Sequence, residues 1–372
     1  LILGRKLGTG AIAAGGEVDP ALSHCAYCPK LCTFVCPVSR ATHRETHSPW
    51  GKQTTLFEIA RGMVPLGSEY VEPLFACTNC HACTSACDHG IDVPVSLLAG
   101  RARVLEAGLL PDPLRVLLRD QPGREDEARR AVAALAGAIG PSSTARTVLF
   151  PGCTAALEDP DMVRAALSIT RTIEGDSIAA FQDLCCGLPY LLAGDVSGFG
   201  KAARKLVEES RAWKRIVVLD PGCAWTMRRL YPEHGLELQA EVTTLLEYVL
   251  PHLHRFVRRS NPRGPVFYHD PCHLGRGLGL YDPPREILLR LVAGGARDLS
   301  LTRESEPCCG GGGAIPASMP GVASGIASRL AGCLRDEGAR TVVTACATCR
   351  TQLLGQEDLE VVDLVTLLAQ AL

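Results

Sequence analysis

Thr147-Val148-Leu149-Phe150-Pro151-Gly152-Cys153 is an apolar strand that runs into a cysteine, and Val266-Phe267-Tyr268-His269-Asp270-Pro271-Cys272 repeats that pattern later in the chain. The repetition goes on. Cys185-Cys186-Gly187 follows the first stretch, and Cys308-Cys309-Gly310-Gly311-Gly312-Gly313 follows the second. Each doublet precedes an amphipathic helical pattern, carried by Phe199, Ala203, Leu206 and Val207 in one half and by Val322, Ile326, Leu330 and Cys333 in the other. A strand then leads to Asp220-Pro221-Gly222-Cys223 or to Cys346-Ala347-Thr348-Cys349, and both halves close alike, Glu241-Val242 matching Glu360-Val361. Strand–helix alternation of this kind predicts two α/β units, each with a short parallel sheet.

Adjacent cysteines do not pair readily with each other, because the disulfide would strain peptide and S–S geometry together. Two thiols backed by glycine suit an inorganic centre held against bare backbone, since glycine accepts φ > 0 and carries no Cβ; Gly310 and Gly311 are the candidate cofactor-facing glycines. The cysteines fall just past strand ends, where open α/β sheets place ligands. The second half supplies five of them: Cys272, Cys308, Cys309, Cys346 and Cys349. The first half supplies Cys153, Cys185, Cys186 and Cys223, with Asp220 at the position matching Cys346.

Upstream stand two quartets. Cys77, Cys80, Cys83 and Cys87 have the C-x2-C-x2-C-x3-C spacing of a bacterial [4Fe–4S] run, and Cys25, Cys28, Cys32 and Cys36 have one extra residue and a following Pro37. By the cross-ligation of two-cluster ferredoxins, Cys25, Cys28, Cys32 and Cys87 are expected to hold one cubane cluster, and Cys77, Cys80, Cys83 and Cys36 the other. Structural zinc is the competing reading, but it usually draws its ligands as two separated pairs, and here each group is a complete quartet. His81 and His89 are left out of the ligand set. Leu56, Ile59 and Met63 are spaced for one helix face between the quartets, and Val93-Pro94 opens a helix running to about Gly108. Helices here predict an α-helical ferredoxin-like module over 1–110.

Residues 111–145 read as a linker, with Pro111, Pro113 and Pro122, a helix from about Glu125 to Ala138, and a boundary at Gly140-Pro141-Ser142-Ser143. The α/β units are then 146–260 and 261–372. Cys333 reads as a buried free cysteine on an apolar helix face. Gly275-Arg276-Gly277-Leu278-Gly279 lacks the strand–GxGxxG–helix order, so no flavin or nicotinamide site is assigned.

Composition narrows the function classes. With 372 residues there is room for several cores, and the net charge of -2 offers no basic field for nucleic acid. No run of about 18 uncharged apolar residues is present, so no direct membrane span is expected. Eighteen clustered cysteines with no secretory leader indicate metal ligation in a reducing, cytoplasmic setting. Because it opens at Leu1 and not at Met, the chain is expected to lack some native N-terminus.

The paired Cys…Cys-Cys-Gly…Cys-x2-Cys arrangement resembles the cysteine-rich CCG domain found in the B subunit of heterodisulfide reductase. Joined to two quartets, it resembles the D subunit of that enzyme. It is similar also to the iron–sulfur subunits of glycolate oxidase and anaerobic glycerol-3-phosphate dehydrogenase, and to the sulfite-reductase-associated reductase of sulfate reducers. The run from His269 to Arg276, with Tyr281, Pro284 and Arg285, looks like that family too. The resemblance implies a non-cubane [4Fe–4S] cluster at Cys272, Cys308, Cys309, Cys346 and Cys349. It leaves a second at Cys153, Cys185, Cys186 and Cys223 open, because Asp220 replaces a thiolate. The expected function is an iron–sulfur subunit relaying electrons between a flavoprotein or a membrane cytochrome or quinone-linked partner and the CCG cluster, the chain joining the membrane only through such a partner. The alternative is a catalytic disulfide reductase acting at the CCG cluster.

Overall fold

The structure is a computed structural model and describes residues 19–30, 32–136, 146–175, 178–181, 185–257 and 265–372. The expected boundary at Gly140-Pro141-Ser142-Ser143 and the division at 260/261 lie outside the described residues. The chain forms two units that are not contiguous in sequence. One is drawn from Leu1–Gln121, Pro189–Phe199 and Pro307–Leu330, the other from Pro122–Leu188, Gly200–Glu306 and Ala331–Leu372.

The described residues of the first unit form helices and no strands. Pro20–Ala26, Pro49–Ala60 and Val93–Glu106 each carry proline in the first turn, where a missing N–H costs nothing. Asp19, Ser48 and Asp92 cap them, each side chain accepting a backbone N–H of the first turn. Leu22, Leu56, Leu74, Phe75, Leu97 and Val104 make the core between them. Met63 departs from expectation. Gly62, at φ +67°, ends the helix ahead of it, and Met63 lies 66% exposed, off the face of Leu56 and Ile59.

The second unit carries two all-parallel sheets. In the first, β1 (Thr147–Phe150) lies between β2 (Ile178–Ala180) and β3 (Arg215–Val218), and β4 (Glu241–Thr244) pairs with β3. In the second, β5 (Val266–His269), β6 (Thr341–Thr344) and β7 (Glu360–Asp363) run in that order. Every residue of β1, β5 and β6 is buried, which is what makes a parallel strand read as an unbroken apolar run. Both sheets contribute to one apolar core that includes Leu149, Val217, Val266, Tyr268, Val343 and Leu364. The repeat is therefore visible in three dimensions as β1-β3-β4 against β5-β6-β7, with β2 added to the first sheet.

The described part of the segment read as a linker, up to Ala136, is almost wholly helical. One helix spans Asp112–Ala136 and begins well before Glu125. Pro113 falls in its first turn, and Pro122 is carried inside it at the loss of one backbone hydrogen bond.

Candidate metal centres

Cys36, Cys77, Cys80 and Cys83 are all buried and line one cavity with Lys52. Asn79 and His81 hold left-handed φ values of 55° and 58°, which folds the C-x2-C-x2-C run into successive tight turns. The Asn79 N–H donates to Cys77 Sγ at 3.4 Å. Burial pushes the Cys83 thiol well up, and Cys77, Cys80 and Cys36 add to the rise. In the other set, burial and then Cys32, Cys87 and Cys28 push Cys25 up to about 12, while burial also lifts Cys32 to about 11. The neighbours are the crossed ones: Cys36 stands with the second run and Cys87 with the first. Four crowded thiols give up their protons together only when a multivalent cation offsets their charge. This donor set and its spacing fit a cubane iron–sulfur centre in each position.

One charge beside the Cys36/Cys77/Cys80/Cys83 set, the inner set, has no parallel beside the Cys25/Cys28/Cys32/Cys87 set, the outer one, among the described residues. Lys52 is 1% exposed, and its ammonium donates to Cys36 Sγ at 3.6 Å. Burial works against that charge, yet the facing Cys36, Cys77 and Cys83 reverse the effect and hold its pKa above the usual lysine value. His81 is likewise buried, its Nδ1 3.4 Å from Asp92, the cap of Val93–Glu106.

The glycine run after the second doublet has a packing task. A Cβ on Gly312 would sit 2.2 Å from the Thr78 carbonyl oxygen, and one on Gly313 would sit 1.8 Å from that of Cys77. Gly310 backs onto Ala323 and Ile326 of helix Pro320–Asp336. The run is thus pressed against the backbone of the second quartet. Arg101, also buried, binds this junction by donating to the carbonyls of Leu74, Cys77, Leu192 and Gly313.

Both doublets have the same local geometry. The N–H of Gly187 donates to Cys185 Sγ and that of Gly310 to Cys308 Sγ, each at 3.3 Å, with the glycines at φ 85° and 89°. A side chain at the third position would oppose that backbone.

In the first half of the repeat the structure brings four thiols together. Cys185 hydrogen-bonds through its side chain to Cys153 and Cys186, and Cys186 to Cys223. Those bonds hold the Cys186 thiol well below its usual value and raise Cys185 and Cys223. Adjacent β1 and β3, paired Phe150 to Val218, set Cys153 and Cys223 just past one sheet edge. Gly152, at φ +84°, passes within 2.9 Å of Asp220 Cβ and 3.1 Å of Cys223 Sγ, measured from where its own Cβ would be. Asp220 caps Pro221–Trp225 by accepting the Cys223 N–H at 3.0 Å, and burial lifts its pKa to about 6. Tyr231 donates to the Cys186 carbonyl at 3.0 Å.

In the second half, β5 and β6 pair His269 with Thr344, so Cys272 and the Cys346-x2-Cys349 turn follow neighbouring strand ends. Cys308 and Cys309 are buried in the first unit, while Cys272, Cys346 and Cys349 belong to the second. Cys333 is half-buried on helix Pro320–Asp336.

A cysteine-rich domain model, CCG, matches residues 147–228 and 266–354, and a 4Fe-4S dicluster domain model matches 21–91. The chain thus carries two CCG cysteine-rich domains and a dicluster domain, and it is similar to the heterodisulfide-reductase-like iron–sulfur proteins. This CCG protein is 27% identical over 315 residues to the B subunit of fumarate reductase (CoM/CoB) from Methanothermobacter marburgensis, a match covering 81% of the chain and 62% of that relative. It is 25% identical over 325 residues to the D subunit of dihydromethanophenazine:CoB–CoM heterodisulfide reductase from Methanosarcina acetivorans, covering 82% of the chain and 79% of the relative. Similarity to EtfAB:quinone oxidoreductase of Syntrophomonas wolfei, 23% identical, covers 65% of the chain and 36% of that protein. The chain thus spans less than two thirds of some of the curated relatives that it matches. No helix among the described residues is long and apolar enough to cross a membrane.

Several residues around the CCG sites carry no spacing signal. His269 Nδ1 and Glu306 Oε1 are 2.7 Å apart and buried, and burial lifts Glu306 to about 7 against the opposing pull of His269. Asp270 takes a two-pronged bond from Arg285 at 2.9 and 2.7 Å, and Gly275 makes room for the ring of Tyr281. These contacts give the His269–Arg285 run a bracing role. Trp225 and His273, neighbours of Cys223 and Cys272, stack with centroids 4.7 Å apart and planes 10° from parallel.

Proposed function

We propose that this CCG protein is the iron–sulfur electron-relay subunit of a heterodisulfide-reductase-like complex. Cys25, Cys28, Cys32 and Cys87 would hold one [4Fe–4S] cubane, and Cys77, Cys80, Cys83 and Cys36 the other. A CCG cluster of non-cubane type would use Cys272, Cys308, Cys309, Cys346 and Cys349, with Gly310 and Gly311 beside it. The observation that carries the reading is the convergence of Cys36, Cys77, Cys80 and Cys83 on one buried cavity. The five-thiolate set rests on the repeat, whose first half gathers its own four thiols. Bound clusters supply one-electron chemistry, and the protein fixes their spacing, burial and local charge. Electrons would pass between these centres and a flavoprotein or a membrane cytochrome or quinone-linked partner, which would also bring the chain to a membrane from the cytoplasm.

The gathered Cys153, Cys185, Cys186 and Cys223 favour one further reading, a paired site at which a disulfide substrate is reduced. In that case the oxidised protein treated with a thiol or disulfide should show a new paramagnetic signal. Anaerobic metal and sulfide analysis tests the main proposal: about twelve irons per chain are expected for three clusters and about sixteen for four. Zinc in place of iron would overturn it.

A further inference from the structure

Lys52 sits in the first turns of helix Pro49–Ala60, between the two quartets in sequence, and its ammonium is directed into the inner sulfur cavity. Its bond to Cys36 Sγ and its 1% exposure leave the charge no access to water. A second buried cation, Arg101, acts on Cys77 from the carbonyl side of the same loop. The outer set differs. The charges acting on Cys25 are those of Cys32, Cys87 and Cys28, and Cys28, Cys32 and Cys87 are only half-buried. Lys30 lies beside that run, but it is partly exposed, is paired with Glu45 and lies over the Trp50 ring.

We propose that Lys52 makes the Cys36/Cys77/Cys80/Cys83 set the higher-potential member of the N-terminal pair, so that the first electron entering the module rests there. The inference depends on the cubane assignment above and adds an order of filling to it. Accepting an electron adds one negative charge to a sulfur-rich site. A fixed positive charge a few ångströms away in a water-poor cavity favours that state, and favours it most at the site it touches. Half-exposed thiols in the outer set are screened by solvent, and no buried ammonium faces them among the described residues. Lys52 is therefore a positioning residue for the electron, setting a potential without touching a substrate.

The test uses the full chain, purified anaerobically, in wild-type, K52M, K52Q and K52R forms, with iron counted in each. Stepwise reduction by dithionite, followed by paramagnetic resonance, gives a midpoint for each cubane signal, and C83S identifies the inner one. K52M and K52Q are expected to lower the reduced-to-oxidised ratio of the inner signal at least tenfold at fixed potential, about 59 mV for one electron. The outer signal should hold, iron should stay at the wild-type count, and K52R should restore the inner midpoint. K52Q keeps a donor near Cys36 without the charge, so it separates charge from hydrogen bonding. An unmoved inner midpoint, or equal movement of both signals, overturns the proposal. Iron loss in both neutral variants with retention in K52R also overturns it, leaving Lys52 a purely structural part. A wild-type chain without iron would instead defeat the cubane assignment itself.

Discussion

Arg101 donates to the carbonyl of Gly313 at 3.4 Å while its other terminal nitrogen donates to the carbonyl of Cys77 at 3.2 Å. One guanidinium thus holds the backbone after the second cysteine doublet against the backbone of the second quartet. Its 1% exposure and its position 5.1 Å from the Phe75 ring leave no room for water to take over those bonds. R101M should strand four buried carbonyls and cost on the order of 3 kcal/mol. A thermal melt of the anaerobic protein should show a large drop in Tm, and R101K, with a single nitrogen, should recover only part of it.

Gly313 is the sharper probe of that junction. G313A would place a methyl 1.8 Å from the Cys77 oxygen on a backbone at φ +68°. We expect it to lose about four irons per chain, those of the inner quartet. G338A is the control: its φ is +85° and the space around it is open. That change should cost about 1 kcal/mol of stability and no iron.

C309S should remove the CCG cluster and leave the two cubanes, lowering the iron count by about four. Unchanged iron in this variant would disprove the ligand set drawn from the repeat.

Asp220 stands where the second half has Cys346, and it caps its own helix through the Cys223 N–H. Asparagine caps equally well, so D220N should keep the stability and the metal content of the wild type. D220A should lose about 1 kcal/mol. A melt and an iron assay of the two variants separate capping from ligation: iron lost in D220N would mean that the carboxylate is a ligand.

Asp363 gives a pH dependence of known sign. Burial raises its pKa from 3.8 to about 7, against the cap bond to Thr366 that favours the charged form. Between about pH 4 and pH 7 the folded chain therefore holds a proton that the unfolded chain has released. The resulting stability is complete below the unfolded pKa and is lost as pH rises through the folded one. Each pH unit separating the two values is worth on the order of 1.4 kcal/mol, so the whole effect is a few kcal/mol at most. Melts from about pH 4 to pH 8 should show Tm falling across this window in the wild type, and D363N should flatten that component.

The helical N-terminal segment, the parallel strands and their repetition are all legible in the sequence. Each rests on a local signal: proline and a capping residue at helix starts, unbroken apolar runs in doubly covered strands, and cysteine at fixed steps from strand ends. The short β2 carried no such run, and Pro122 suggested a break in a helix that in fact continues through it. The crossed grouping of thiols is expected from the cysteine spacing, but tertiary structure brings it about, because Cys36 meets Cys83 and Cys87 meets Cys25 only after the intervening helices pack. Tertiary structure alone decided that Lys52, Arg101 and Glu306 are buried beside these sites. A lysine or arginine on a helix reads as solvent-facing by composition, and what keeps these charges inside is the thiol cavity and the unpaired carbonyls that the folded backbone presents to them.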